Sequence, residues 1–175
     1  NDFDLTEDWK DVTIIYGLLD QSQPTQYIRV EKAFLDPTTS ALILAQEPDS
    51  LYYDNITVQL REFQSGNSTG SIYQLERVNA IDEGFTRAEG VFATAPNILY
   101  KHTEPIREDF TYRIEVIKNG DSDNKIQAET NICQDFRLTS PADFTTDLRF
   151  RPGSETSFRW SPPSNSRIFS LKVFV

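Results

Sequence analysis

The sequence predicts an all-β protein, an antiparallel β-sandwich of the immunoglobulin-like or transthyretin-like kind. Three observations lead to this prediction. Apolar and polar residues alternate with a period of two along most segments, turn-forming residues separate these segments, and only one segment has helical character. The 12 Phe, 7 Tyr and 2 Trp among the 175 residues supply bulky side chains for a core.

The first predicted hairpin joins residues 12–19 to residues 26–34 through a turn that contains Pro24. Residues 12–19 form a nearly continuous apolar run with β-branched members, which is typical of a strand buried on both faces. Residues 26–34 alternate instead, with Ile28 and Val30 on one side. The pair indicates two antiparallel strands.

A short helical insertion follows. Residues 41–46 are apolar helix formers, Ser40 is a candidate N-cap, and Pro48 ends the run. Residues 49–53 could add one turn of 3₁₀ helix.

Two further hairpins are predicted in the middle of the chain. Residues 55–63 and 71–78 alternate on either side of a loop at 65–70, which is rich in Gly, Ser and Asn. Residues 110–116 and 125–132 do the same around a turn that starts at Asn119-Gly120. Hairpins in succession favour an antiparallel sandwich.

The sequence divides into three predicted parts. Residues 1–10 are an acidic tether, 11–135 form the sandwich, and 136–175 begin a second β domain that is too short to stand alone. Three strands are expected in this last part, at 148–150, 156–160 and 167–175. The chain lacks methionine and starts at Asn1, which we interpret as the mark of a removed export signal.

The charge and cysteine content restrict the function. Seventeen Lys and Arg against 27 Asp and Glu give a net charge of −10, which argues against nucleic acid as a partner. No stretch approaches the ~20 apolar residues that a membrane-spanning helix needs. The single cysteine, Cys133, cannot form an internal disulfide and is expected to be a small buried apolar residue.

One motif suggests nucleophilic catalysis. Residues 66–70 match the G-x-S-x-G pattern around Ser68, and Asp82 and His102 follow in the chain order of an α/β-hydrolase triad. That motif needs a strand that runs into a helix, whereas here it joins two predicted strands. We therefore interpret the glycines as parts of a hairpin loop and His102 as a solvent-exposed side chain in a polar loop.

An acidic turn offers a second chemistry. Asn119, Asp121 and Asp123 have the one-three-five spacing of a calcium-binding loop. The sixth position is Asn124 instead of Gly and the twelfth is Thr130 instead of Glu, so the pattern lacks two of its determinants. A solvated hairpin turn is the favoured interpretation, with a weak Ca²⁺ site as the alternative.

Aromatic residues outside the alternating segments could form a ligand-binding platform. The candidates for this binding surface are Trp9, Tyr52, Tyr53 and Tyr100. The competing interpretation, which we favour, is that these rings plug the ends of the sandwich. Three longer connections, at 36–54, 64–70 and 79–90, are the segments expected to carry contacts with a partner.

Several sequence segments together resemble those of uncharacterised cell-envelope lipoproteins of Bacteroidota. The resemblance covers residues 10–141 best and is carried by segments that read DVTIIYGLL, YIRVEKAF, GVF, YRIEV and IQAET, at residues 11–19, 27–34, 90–92, 112–116 and 126–130. It implies an N-terminal lipid anchor, a sandwich followed by a second β domain, and an association with outer-membrane receptor systems. It transfers no catalytic residue.

From the sequence we therefore expect a non-enzymatic module of the cell envelope that binds a protein or a glycan. It is expected to need no cofactor and to meet the membrane only through an N-terminal lipid. Two alternatives stay open. One is a hydrolase that uses Ser68 with His102, and the other is a structural spacer that holds another domain away from the membrane.

Overall fold

The computed structural model describes residues 12–33, 39–134, 137–141, 153, 155–163, 166 and 168–172. These residues form an antiparallel β-sandwich, as the sequence predicts. The described ranges contain ten strands: β1 (Thr13–Gly17), β2 (Gln26–Lys32), β3 (Ile56–Gln64), β4 (Asn67–Gln74), β5 (Glu76–Asn79), β6 (Ile98–His102), β7 (Thr111–Lys118), β8 (Ile126–Asn131), β9 (Arg137–Ser140) and β10 (Arg159–Ser161). Two short helices, α1 (Ala41–Leu44) and α2 (Pro48–Leu51), lie between β2 and β3.

The sandwich consists of two four-stranded sheets. The first sheet has the order β1-β2-β6-β5 and the second has the order β4-β3-β7-β8. Neighbouring strands in both sheets are antiparallel. The predicted hairpins β1–β2 and β7–β8 are confirmed, and β3 pairs with β4 as expected.

The core lies between the two sheets and follows the predicted alternation. Ile28 and Val30 face it from the first sheet, and Val58, Leu60 and Tyr112 face it from the second. Each of these five side chains is at most 3% exposed. Burial of such side chains is the main favourable contribution to folding, at about 1.5–3 kcal/mol for a fully buried aliphatic or aromatic group.

The chain crosses from the second sheet to the first at a single residue, Leu75. Its backbone N–H donates to Val58 O at 2.9 Å, so Leu75 is still attached to the second sheet. Its side chain is buried in the core, and β5 begins at the next residue in the first sheet. The predicted single strand at 71–78 is therefore wrong, because it is split between two sheets.

The turn between β3 and β4 is shorter than the predicted loop at 65–70. Ser65 and Gly66 have positive φ angles of 51° and 81°, and the strands pair again at once through Gln64 and Asn67. Two consecutive left-handed residues match the right-handed twist of the strands that they join. Residues 67–70 consequently belong to β4.

The interpretation of residues 12–19 as a strand buried on both faces is wrong. Strand β1 is an edge strand of the first sheet, and Ile14 and Tyr16 are 48% and 74% exposed. Only Ile15, from the opposite face of β1, packs against the core. The apolar run is therefore a half-exposed strand whose outer face also carries apolar side chains.

The sandwich is open along the side where β1 and β8 lie. Ala128 and Thr130 are paired with Ile114 and Tyr112, which puts them on the inner face, yet both are exposed to solvent. A cavity of 170 Å³ lies here, lined by Ile15, Gly17, Leu19, Ile28, Leu60, Tyr112, Ile114, Ala128, Glu129 and Thr130.

The helical insertion is shorter than the predicted 41–46. Helix α1 has one turn, and the Ser40 hydroxyl accepts from the Leu42 N–H, as expected of an N-cap. Helix α2 replaces the predicted 3₁₀ turn. Neither these helices nor any other helical residue in the described ranges provides a span long and apolar enough to cross a membrane.

The last part of the described chain contains a small antiparallel pair, β9 with β10. The predicted strand at 156–160 overlaps β10, whereas residues 168–172 form no strand. The Trp160 and Phe169 rings lie 5.9 Å apart. The predicted strand at 148–150 and the predicted tether at 1–10 lie outside the described residues.

A matched pair of substitutions tests the position of the core. Leu60→Ala should lower the free energy of unfolding by about 2–5 kcal/mol, because it leaves a cavity at a residue that is 1% exposed. Leu42→Ala makes the same chemical change at a residue that is 65% exposed, and should cost no more than about 0.5 kcal/mol. Urea denaturation measures both, and equal losses would contradict the described core.

Candidate functional site

The main candidate site is a groove on the outer face of the first sheet, which we call the sheet-I groove. It has a volume of 450 Å³. Strand β1 contributes Tyr16, β2 contributes Tyr27 and Arg29, and β6 contributes Leu99. The connection between β5 and β6 supplies the remaining lining residues, which are Phe85, Thr86, Arg87, Ala88 and Asn97.

The connection is held on the sheet by charged and polar contacts at Glu83. The carboxylate Oε2 accepts from the Tyr27 hydroxyl and from Lys101 Nζ, both at 2.7 Å. Hydrogen bonds from Lys101 and Tyr27 hold the pKa of Glu83 below its usual range. The Glu83 hydrogen bond in turn raises the pKa of the Tyr27 phenol. The groove therefore has a wall that is anchored to two different strands.

Aromatic rings form much of the groove surface. The Tyr27 and Phe85 rings are edge-to-face, with centroids 5.0 Å apart. Phe85 is nevertheless 46% exposed, and Tyr16 on β1 is 74% exposed. Tyr16 lies opposite Arg29 in the β1–β2 register, so an exposed ring and a guanidinium are neighbours on this face.

Glu31 lies beside the groove lining and forms a charged cluster with two of the lining residues, Arg29 and Arg87. Its Oε1 lies 2.9 Å from Arg29 Nη1 and 3.5 Å from Arg87 Nη1. Arg29 Nη2 also donates to Asn97 Oδ1 at 2.8 Å, and Asn97 is only 2% exposed. Arg87 stacks over the Phe92 ring at 4.9 Å. Two guanidinium groups thus share one carboxylate at the groove.

The outer face of the second sheet has a different organisation. Glu115 is buried beneath its partners and accepts from Gln59, Arg61 and Lys125 at 2.7–2.9 Å. Burial raises the pKa of Glu115, but these hydrogen bonds outweigh it and the net pKa is lowered. Arg113 pairs with Glu129 next to them. Both of these carboxylates are paired with cations.

Three of the four rings of the candidate aromatic platform are buried. Tyr52, Tyr53 and Tyr100 are 4%, 7% and 3% exposed and belong to the core. Tyr100 is on the inner face of β6, and the Tyr53 hydroxyl lies 2.7 Å from Thr13 Oγ1. Their burial agrees with a packing role for these three rings, whereas the prediction that they plug the ends of the sandwich stays a prediction. Trp9 lies outside the described residues.

The proposed nucleophile and base are in different environments. Ser68 is exposed on β4, and its Oγ accepts from the Gly70 N–H at 3.2 Å. His102 is 3% exposed at the end of β6, where its Nε2 has no hydrogen-bond partner among the described residues. The structure therefore gives no Ser68–His102 hydrogen bond through Nε2, and the motif lies in a hairpin.

The expectation of a solvent-exposed His102 is wrong. His102 continues the inward alternation of Ile98 and Tyr100 on β6, and it lies opposite Gln26. Its ring is edge-to-face with Tyr73, with centroids 5.2 Å apart. Burial lowers the pKa of His102, although the negative charges of Glu104 and Glu62 partly oppose this shift.

A buried carboxylate lies in the same end of the core. Glu62 is 0% exposed and binds Arg107 Nη2 at 2.5 Å and the Tyr112 hydroxyl at 3.0 Å. Burial alone would raise the pKa of Glu62, but these two hydrogen bonds hold it below its usual range. Nothing in the sequence pattern indicates this group, since Glu62 falls in an alternating strand where a buried position is expected to be apolar.

The acidic turn is satisfied by its own hydrogen bonds. Asp121 accepts from the backbone N–H groups of Asp123 and Asn124 and from the Asn124 side chain, at 2.8–3.3 Å. These bonds lower the pKa of Asp121. Asn119 serves the turn with a φ angle of 52°. Across the described ranges, no three His, Cys, Asp or Glu side chains are placed to hold a metal ion.

Cys133 is exposed, which corrects its predicted burial. The buried position belongs to its neighbour Ile132, which is 3% exposed. Because successive residues of an extended chain point to opposite sides, only one of the two can face the core.

The sequence indicates one part of the groove lining, the connection at 79–90, but not the exposed face of β1. The 79–90 segment was expected to carry partner contacts, and it contributes Phe85 and Arg87 to the groove. Tyr16 was missed because the apolar run around it was interpreted as buried. Two signals could have identified it: the tyrosine hydroxyl, and the position of the run at the start of the sandwich.

The single histidine makes stability depend on pH in a specific window. An unfolded His titrates near ~6.5, and the folded pKa is lower, so the unfolded state takes up the proton first as the pH falls. The stabilisation is complete above ~6.5 and is lost as the pH falls below it. His102→Phe should reduce this loss, as measured by urea midpoints at about pH 7.5 and about pH 5.5.

The chain has one His, so no other imidazole contributes in that window. A variant that keeps the whole wild-type pH dependence would show that His102 is not the titrating group.

No protein-family model matches the chain, and neither a curated protein nor a solved structure gives a significant match.

Proposed function

We propose that the protein is a non-enzymatic binding module and that the sheet-I groove binds a glycan. The observation that carries this proposal is the combination of two exposed aromatic rings, Tyr16 and Phe85, with the polar cluster of Arg29, Arg87 and Asn97. The C–H face of a sugar ring packs against an aromatic ring, while its hydroxyl groups need hydrogen-bond partners. The groove offers both kinds of contact side by side.

The size of the groove agrees with this proposal. Its 450 Å³ falls in the range of about 300–1,000 Å³ that is typical of ligand sites. An open groove admits a section of a longer chain, whereas an enclosed pocket would accept only its end. The groove is also built on strands, which hold Tyr16, Tyr27 and Arg29 in fixed register.

The chemistry of the lining favours binding over catalysis. Its described residues include Tyr and Arg side chains but no carboxylate, imidazole or thiol. Tyrosine and arginine lose their protons well above neutral pH, so neither is a ready general base. The proposal therefore assigns no reaction to the groove.

We further propose that the module works in the cell envelope as part of an exported lipoprotein. The support is the resemblance to Bacteroidota envelope lipoproteins described above, with their N-terminal lipid anchor and accessory role beside receptor systems. A rigid antiparallel sandwich is a suitable scaffold for such a module, and two packed four-stranded sheets are compatible with an immunoglobulin-like class.

Removal of the exposed rings tests the proposal. Tyr16→Ala and Phe85→Ala should each weaken binding to a glycan panel by about tenfold or more, because each removes an aromatic contact surface. Glycan-array binding followed by calorimetry on the strongest member measures the effect.

The matched control is Ile72→Ala, which removes a 50% exposed apolar side chain from β4 in the other sheet. It should leave binding unchanged. Unaltered binding in both ring variants would show that the groove is not the site.

A further inference from the structure

We infer that the sheet-I groove selects acidic sugars, with the sugar carboxylate held by Arg29 and Arg87. This inference rests on the proposed glycan-binding function and adds the chemical class of the ligand. Two observations support it: the positive charges at the groove, and the pairing of two arginines with a single carboxylate.

The groove is a positive site on a negative protein. The chain as a whole carries −10, yet the only charged side chains among the described lining residues are Arg29 and Arg87. A ligand in this groove would therefore lie next to two guanidinium groups as well as the more exposed rings of Tyr16 and Phe85. The net negative charge of the protein repels anions overall. The two positive charges at the groove are a local exception to that net charge.

The two cations share a single anion. Glu31 Oε1 is 2.9 Å from Arg29 and 3.5 Å from Arg87, so two positive charges are placed next to one negative charge. Among the described residues, this cluster therefore carries one more positive than negative charge. A second carboxylate, supplied by the ligand, would balance it.

The geometry of arginine favours a carboxylate for this role. A guanidinium group presents planar, parallel N–H donors that match two carboxylate oxygens. Arg29 is held in place by Asn97, a side chain that is only 2% exposed, and Arg87 is held against the Phe92 ring. Both donors are thus partly preorganised, which lowers the entropy cost of binding.

The cluster is only partly open to water. The Arg29, Arg87 and Glu31 side chains are 24%, 18% and 13% exposed. Charge-assisted hydrogen bonds gain strength in such surroundings because water competes less for the donors. The neighbouring Tyr16 and Phe85 surfaces would hold the sugar ring that carries the carboxylate.

The first test compares ligands on the wild-type protein. The panel contains oligomers of galacturonic acid, sialosides, neutral hexose and N-acetylhexosamine oligomers, and a sulfated oligosaccharide. Binding should be confined to acidic members, and methyl esterification of the galacturonate oligomer should weaken it by about tenfold or more. If the sulfated oligosaccharide binds more tightly than every carboxylated member of the panel, the groove prefers sulfate and the assignment is wrong.

The second test uses two variants with opposite expected effects. Arg87→Gln should weaken binding of the acidic oligomer about tenfold and leave any residual binding of its methyl ester unchanged. Glu31→Gln should strengthen binding of the acidic oligomer, because it removes the carboxylate that competes for both guanidinium groups. If the two substitutions only disrupted the structure of the groove, both variants would bind the acidic oligomer more weakly than the wild-type protein.

Arg113→Gln is the matched control, since it removes the same charge from the outer face of the second sheet. It should not change the affinity.

The outcomes separate the two proposals. If neutral sugars bind as tightly as acidic ones, the acidic selection is wrong and glycan binding stands. If no sugar of the panel binds, or if only an acidic peptide such as oligoglutamate binds, both proposals are wrong.

Discussion

The crossover at Leu75 is the constraint on which the rest of the structure depends. Its N–H is bonded to β3 in the second sheet and its side chain is in the core, and the next residue, Glu76, already pairs with Lys101 in the first sheet. Strand β5 then pairs with β6 in the first sheet. The segment that joins β5 to β6 lies over the outer face of the first sheet, where Glu83 binds Tyr27 and Lys101, and it forms the second wall of the groove.

The strands that form hairpins could be predicted from the sequence because their signals are local. Alternation in β3 and β7 and the Asn119-Gly120 turn all depend on neighbouring residues. The exposure of β1 could not be predicted, because it depends on which strand is at the edge of a sheet. The assignment of β6 was missed for a related reason, since five residues between long connections give little periodicity.

The candidate site was only partly predictable for a physical reason. Phe85 and Arg87 lie in a long connection, and such segments tend to carry contacts with partners. Tyr16 and Arg29 are on strands, where an alternating pattern predicts only whether a side chain faces the core or the solvent. Their proximity to Arg87 arises only when the connection folds over the sheet. The buried positions of His102 and Tyr100 likewise follow from the inner face of β6.

Strand β1 has a consequence for how the protein behaves at high concentration. No described strand pairs with its outer edge, and it contains no Lys, Pro or bulge of the kind that blocks edge-to-edge association. Ile14 and Tyr16 add exposed apolar surface there. Mutual repulsion between chains of charge −10 opposes such association near neutral pH. This repulsion vanishes near the isoelectric point of about 4.5, so we expect association through the β1 edge to increase there.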